Sequence, residues 1–207
     1  MLLDVRQRLV VIIGGGAVAS RKARGLLVAG AKRIRCVALN FDQSMPPQVQ
    51  RVSQAFQPEH LDGAGLVFAA TDSPEVNDAV VREAHCRGLL VNRADADEDQ
   101  PGDFTTPAIW QTDSLLLAAS ADGNPALAAR IRDDLAAKID PLLVRMAAAM
   151  QQLRPIVRAR VADIARRRQI FRELSGAEAM TALAQDGIEG LGRWLETMMA
   201  SRNQGPQ

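Results

Sequence analysis

Leu9 to Ile13 is an uninterrupted apolar run with the length of a strand and the pattern of one buried on both faces, as in a parallel sheet. Three glycines follow. From Ser20 to Ala29, Ala23, Leu26 and Leu27 then recur on one helical face, and Gly30 supplies a stop. Further strands are expected at Ile34 to Leu39, Leu66 to Ala70 and Leu89 to Asn92. A helix with Val76, Val80 and Ala84 on one side is expected from Pro74 to Arg87, ended by Gly88. Strands alternating with helices at this spacing predict an α/β fold, a Rossmann-like, doubly wound parallel sheet with right-handed crossovers.

The pattern changes after residue 100. Phe104 to Trp110 and Ser114 to Ser120 read as two strands around the polar turn Gln111-Thr112-Asp113, a β-hairpin appended to the sheet. Asn124 is placed to cap a helix from Pro125 to Ile139, with proline at its first position. Past Asp140 no strand pattern remains. Met146, Met150, Leu153, Val157, Val161 and Ile164 recur every three or four residues in a helix that Pro155 is expected to kink or interrupt. The expected division is a Rossmann domain over 1–112, a connecting segment over 113–143, a helical domain over 144–200 and a disordered tail over 201–207.

Composition narrows the function classes. Of the 207 residues 47% are hydrophobic but only 3% aromatic, with no Tyr, so the core is aliphatic and stacking on aromatic rings is not the expected mode of binding. Lys and Arg number 25 against 24 Asp and Glu, a balance that points to no nucleic-acid partner. Cys36 and Cys86 lack zinc or redox spacing and read as free thiols. No apolar run approaches the length of a membrane span and no cleavable leader is evident, so the expectation is a soluble, cytoplasmic protein with no membrane partner.

The glycines after the first strand form GxGxxA. Gly14 allows the tight strand-to-helix turn, Gly16 the approach of a pyrophosphate, and Ala19 close helix–strand packing, with the helix amino terminus aimed at the phosphates. A glycine turn serving packing alone is the other reading. An acid at the end of the second strand would mark the ribose of NAD, but Asn40 stands there. Arg33 and Arg35 could favour a 2′-phosphate or be surface charges of the strand. The residues expected to bind the cofactor are Gly14, Gly15, Gly16, Ala17, Val18, Leu39, Asn40, Thr71 and Asn92.

In order along the chain, GGGAVASRKARGLLVAGA, FAATDSPEVNDAV, VNRAD, DFTTPAIW and LLLAASADGNPALAARIRDDL resemble the precorrin-2 dehydrogenase / sirohydrochlorin ferrochelatase family, which includes the amino-terminal module of bifunctional siroheme synthases. The likeness runs from about Leu3 to Leu143 and more loosely to Leu174. It implies NAD as cofactor, precorrin-2 as substrate and sirohydrochlorin as product, with iron insertion in some members. It also implies a homodimer, a dimerisation and active-site role for the 113–143 segment, and a stand-alone form without a methyltransferase domain.

The resemblance places the catalytic carboxylate on Asp95, in VNRAD at the carboxyl end of the fourth strand. The residues alone also allow a turn aspartate or helix cap there. Asp97, Glu98, Asp99 and Asp103 crowd the same stretch and either raise its pKa by repulsion or form a solvated acidic loop. Ser120 corresponds to a tetrapyrrole-site serine, although here Ala121 follows it and the loop is one residue shorter than in many relatives. Between Arg145 and Arg172 lie eight arginines and one acid, Asp163. They read as a solvated helix face, as phosphate contacts to a nucleic acid, which the neutral overall charge and few aromatics disfavour, or, at Arg154, Arg158 and Arg160, as anchors for a polycarboxylate substrate; Arg154 and Arg158 are the substrate-binding candidates. No His/Cys/Asp cluster has metal-ligand spacing, and His60 and His85 stand isolated. A second class of function, a non-catalytic module sensing NAD(P), fits the glycine motif alone.

Overall fold

The computed structural model describes residues 3–95 and 102–201, without the side chain of Ser201. Asp97, Glu98, Asp99 and the tail from 202 onward lie outside these residues. The chain divides into two compact units at Thr106/Pro107.

The first unit begins with β1 (Leu9–Ile13), buried on both faces as its unbroken apolar run requires. Alternate residues feed two layers. Val10 and Ile12 pack with Ala19, Ala23 and Leu26 of α1 (Ala17–Val28), while Leu9, Val11 and Ile13 pack with Val80, Val81 and Ala84 of α2 (Pro74–Cys86). The remaining strands are β2 (Arg33–Val37), β3 (Gln50–Val52), β4 (Ala64–Ala69) and β5 (Val91–Arg93), all parallel, in the order β3-β2-β1-β4-β5. Strand order reverses at β1, so the carboxyl ends of β1, β2 and β4 frame the crevice where ligands bind in such sheets.

The expected helix start at Ser20 is corrected to Ala17, directly after the glycines, where the turn leads straight into helical geometry. β3 was not expected: Gln-Arg-Val is a three-residue edge strand with mostly exposed side chains and carries no apolar pattern.

In the second unit β6 (Ala108–Gln111) and β7 (Leu116–Ala119) pair antiparallel, Trp110 opposite Leu117, in a sheet of their own on which α3 (Pro125–Ala136) packs. The hairpin forms a sheet of its own, and the compact units part at 106/107, where the expected first domain ran to 112. Asn124 caps α3 as expected, its Oδ1 accepting from the Leu127 N–H at 2.9 Å.

Three further helices, α4 (Pro141–Arg160), α5 (Ile164–Glu173) and α6 (Ala177–Ser201, its geometry broken at Gly187), share a second core. Met146, Leu153 and Val157 meet Ile170, Leu174, Leu183, Leu191 and Leu195 there. Two expectations are corrected. Of the kink or interruption expected at Pro155 the interruption does not occur: α4 runs through it, and the carbonyl left without a donor belongs to exposed Gln151. Ile164 opens α5 at 59% exposure and leaves the apolar stripe.

Candidate active site

A cavity of about 710 Å³ opens at the carboxyl ends of β1, β2 and β4, a size suited to a small-molecule cofactor. Gly14, Gly15, Gly16, Ala17, Val18, Leu39, Asn40 and Thr71 all line it. The glycines do three separate jobs. Gly14 has φ +127°, and a Cβ there would sit 2.1 Å from the Ala70 carbonyl oxygen; a Cβ on Gly15 would sit 2.0 Å from that of Asn40. Both let neighbouring strands close on the turn. A Cβ on Gly16 would meet nothing within 4 Å, so the space beside it belongs to the cavity. Gly16 is also the N-cap of α1, with no side-chain cap and no acid in the first turn. The amino end of the helix is thus available to an anion, as a dinucleotide pyrophosphate requires.

Asn40 lines the cavity just past β2, and among the described residues no Lys or Arg lines it. Arg33 opens β2 opposite Leu9, at the far end of the strand, and Arg35 donates to the His60 carbonyl at 2.9 Å. Neither is placed to meet a 2′-phosphate.

Thr71 is tied into the turn after β4. Its N–H and hydroxyl both donate to Asn77 Oδ1 (3.1 and 2.7 Å), and the Asn77 amide donates back to the Thr71 carbonyl at 3.1 Å. Asn77 is fully buried and also bonds Asp95, which joins the cofactor turn to the candidate carboxylate.

Asp95 itself follows β5 and is gripped by Arg93, Nε to Oδ1 at 2.9 Å and Nη2 to Oδ2 at 3.3 Å. The Arg93 side chain is only 10% exposed and bonds Asp78 as well. Partial burial pushes the Asp95 carboxyl up, but hydrogen bonds from Arg93 and Asn77 and the Arg93 charge outweigh it, so its pKa lies below the ordinary value. Of the acids read as either raising that pKa or forming a solvated loop, Asp103 pairs with His85 at 3.1 Å and accepts the Val91 N–H at 2.8 Å; the others lie outside the described residues.

Asn92 does not line the cavity. It is 3% exposed and donates to the Phe104 carbonyl at 2.7 Å, and its buried Oδ1 has no hydrogen-bond partner among the described residues. Its place in the fold is to hold the segment that returns after the 96–101 stretch.

The substrate candidates belong to the second unit. Ser120 is exposed just past β7. Arg154 and Arg158 are exposed on α4, Arg154 stacked 5.3 Å from the Phe171 ring centre. Arg160 is committed to a bidentate pair with Glu196 of α6.

Residues 1–108 match the family described as "Putative NAD(P)-binding", and residues 143–199 match the "Sirohaem synthase dimerisation region". The chain belongs to the NAD(P)-binding family found in siroheme synthases. Siroheme synthase 1 of Serratia proteamaculans is 36% identical over 211 residues, spanning 99% of this chain and 44% of that protein. The siroheme synthase of Photobacterium profundum is 38% identical over 176 residues, 83% of this chain and 37% of that one. The chain thus spans less than half the length of these curated relatives. A solved structure titled "SirC, precorrin-2 dehydrogenase" superposes with a TM-score of 0.74 at 23% identity, over 95% of this chain and 98% of its own, and shows the same fold.

Within this siroheme-synthase-type chain, Asn77, Asp78, Arg93, Gln54, Ala55 and Phe56 were not singled out by sequence. The first three act through pairs that the fold sets, Asn77 with Asp95 and Asp78 with Arg93, and the last three follow the strand whose pattern is silent. Among the described residues no group of three or more His, Cys, Asp and Glu is placed to hold a metal ion, and no helix is long and apolar enough to cross a membrane.

Proposed function

We propose that this chain oxidises precorrin-2 to sirohydrochlorin with NAD, a cytoplasmic step of siroheme biosynthesis. One observation carries it: an NAD(P)-binding match and then a sirohaem synthase dimerisation match follow in order along a chain whose first unit has an open glycine cradle at its topological switch point. The reaction removes a hydride and a proton, giving sirohydrochlorin, NADH and a released proton. NAD, when bound, supplies the hydride acceptor.

The residues divide the remaining work. Gly14 to Gly16 and the amino end of α1 hold the pyrophosphate, with Ala17 and Val18 against it. Leu39 and Asn40 meet the ribose, and the lack of a cation among the described lining residues favours NAD over its 2′-phosphorylated form. Thr71 shapes the wall of the cleft by its turn, because its hydroxyl is committed to Asn77. Asp95, kept ionised by Arg93, accepts the proton lost from carbon. Ser120, Arg154 and Arg158 bind the substrate, the arginines its carboxylates. The chain works as a homodimer through the region matched at 143–199.

Mixing the protein with NAD and enzymatically made precorrin-2 without oxygen should produce the sirohydrochlorin spectrum. No spectral change overturns the dehydrogenase, and NAD binding without turnover would favour a sensing module. Insertion of ferrous ion is a separate activity, tested by the rate of siroheme formation from sirohydrochlorin against the spontaneous rate.

A further inference from the structure

The cofactor cleft has a third wall that the glycine motif does not foretell. Gln54, Ala55 and Phe56, between β3 and the short 3-10 helix Pro58–Leu61, line the same cavity as Asn40. This arm is anchored twice: Leu61 is 1% exposed, and Phe56 packs on the core layer that includes Val76, itself a lining residue. Arg35 fixes the backbone between the anchors through the His60 carbonyl.

Hydrogen bonding then decides which way the Gln54 amide faces. The backbone N–H of Gln57 donates to His60 Nδ1 at 3.0 Å, so Nδ1 is the acceptor and the ring proton sits on Nε2. Nε2 lies 3.0 Å from Gln54 Oε1, which accepts that proton. The Gln54 oxygen is thereby engaged as an acceptor, and the NH₂ supplies a pair of donors on a residue that lines the cavity.

We propose that Gln54 is a specificity-determining residue of the cleft, donating its amide N–H to the hydroxyl oxygens of the adenosine ribose beside Asn40, and that His60 is the positioning residue that sets this polarity. The assignment rests on the reading of the cavity as an NAD site. Two neutral amides at the ribose end serve a diol and leave the charge of a 2′-phosphate uncompensated. Phe56 and Val76 supply the apolar surface for the adenine.

The test is calorimetric titration of the full chain with NAD and with NADP, with thermal melts to confirm folding. Gln54→Met should weaken NAD binding about 3- to 10-fold, the loss of one net hydrogen bond. His60→Leu should weaken it by a smaller factor, and the double variant no further than Gln54→Met alone, because both act through one contact. Gln54→Glu keeps an acceptor for His60 and offers one to the ribose hydroxyls. It should hold NAD within about 3-fold and bind NADP at least about 10-fold more weakly than the parent.

Unchanged NAD affinity in Gln54→Met overturns the assignment, and fully additive losses in the double variant overturn the positioning role of His60. A parent chain that binds neither dinucleotide overturns the cofactor reading itself, a result distinct from tight parental binding that ignores residue 54.

Discussion

Gly14 and Gly16 are two residues apart and fail in opposite ways when substituted. Gly14→Ala forces a side chain into φ +127° and onto a backbone oxygen that cannot retreat. It should cost at least about 2 kcal/mol of stability, read by chemical denaturation. Gly16→Val adds its branches to open space, so the melting temperature should hold within a few degrees while NAD affinity falls at least about 10-fold, as the branches occupy the phosphate position. Equal destabilisation by both would remove the distinction between turn and cradle.

Asp95 gives a second pair of outcomes at this scale. Asp95→Asn should lower kcat by at least about 100-fold and leave NAD affinity within about 2-fold, since the side chain does not line the cofactor cavity. Its pKa is depressed, so the stabilisation from the Arg93 pair is complete above the unfolded carboxyl value, about 4, and is lost as pH falls through the lower folded value. Arg93→Gln removes the charge but not the burial, so the pKa of Asp95 rises and the acid limb of the kcat/KM profile should move to higher pH. An unmoved acid limb would show that another group titrates there.

At the scale of elements, what the sequence made legible was what apolar periodicity encodes. β1 could be read because it is buried on both faces, and α3 because Asn124 and Pro125 mark its start by local chemistry. β3 escaped because an exposed three-residue edge strand needs no apolar alternation, and the Gln54 to Phe56 wall was lost with it. The Asp78–Arg93–Asp95 chain escaped for another reason: Asp78 lies 15 residues from Arg93, and pairing at that range is set by the fold.

α4 carries its own prediction. Pro155 sits inside a continuous helix on an exposed face, so Pro155→Ala restores a backbone hydrogen bond and should stabilise the second unit by about 1 to 3 kcal/mol, read from its melting transition. A loss of stability would mean that the ring makes a packing contact worth more than the bond it forfeits.

The whole chain carries a glycine-lined cleft in its first unit and, in its second, helices that match the sirohaem synthase dimerisation region. The proposed activity is hydride transfer from a reduced tetrapyrrole to NAD. The direct measurement is stoichiometric: anaerobic turnover of precorrin-2 with NADH and sirohydrochlorin both quantified. One NADH per sirohydrochlorin is expected, with neither formed when NAD is omitted. Sirohydrochlorin appearing at the same rate without NAD, or NAD bound with no NADH formed, would contradict it.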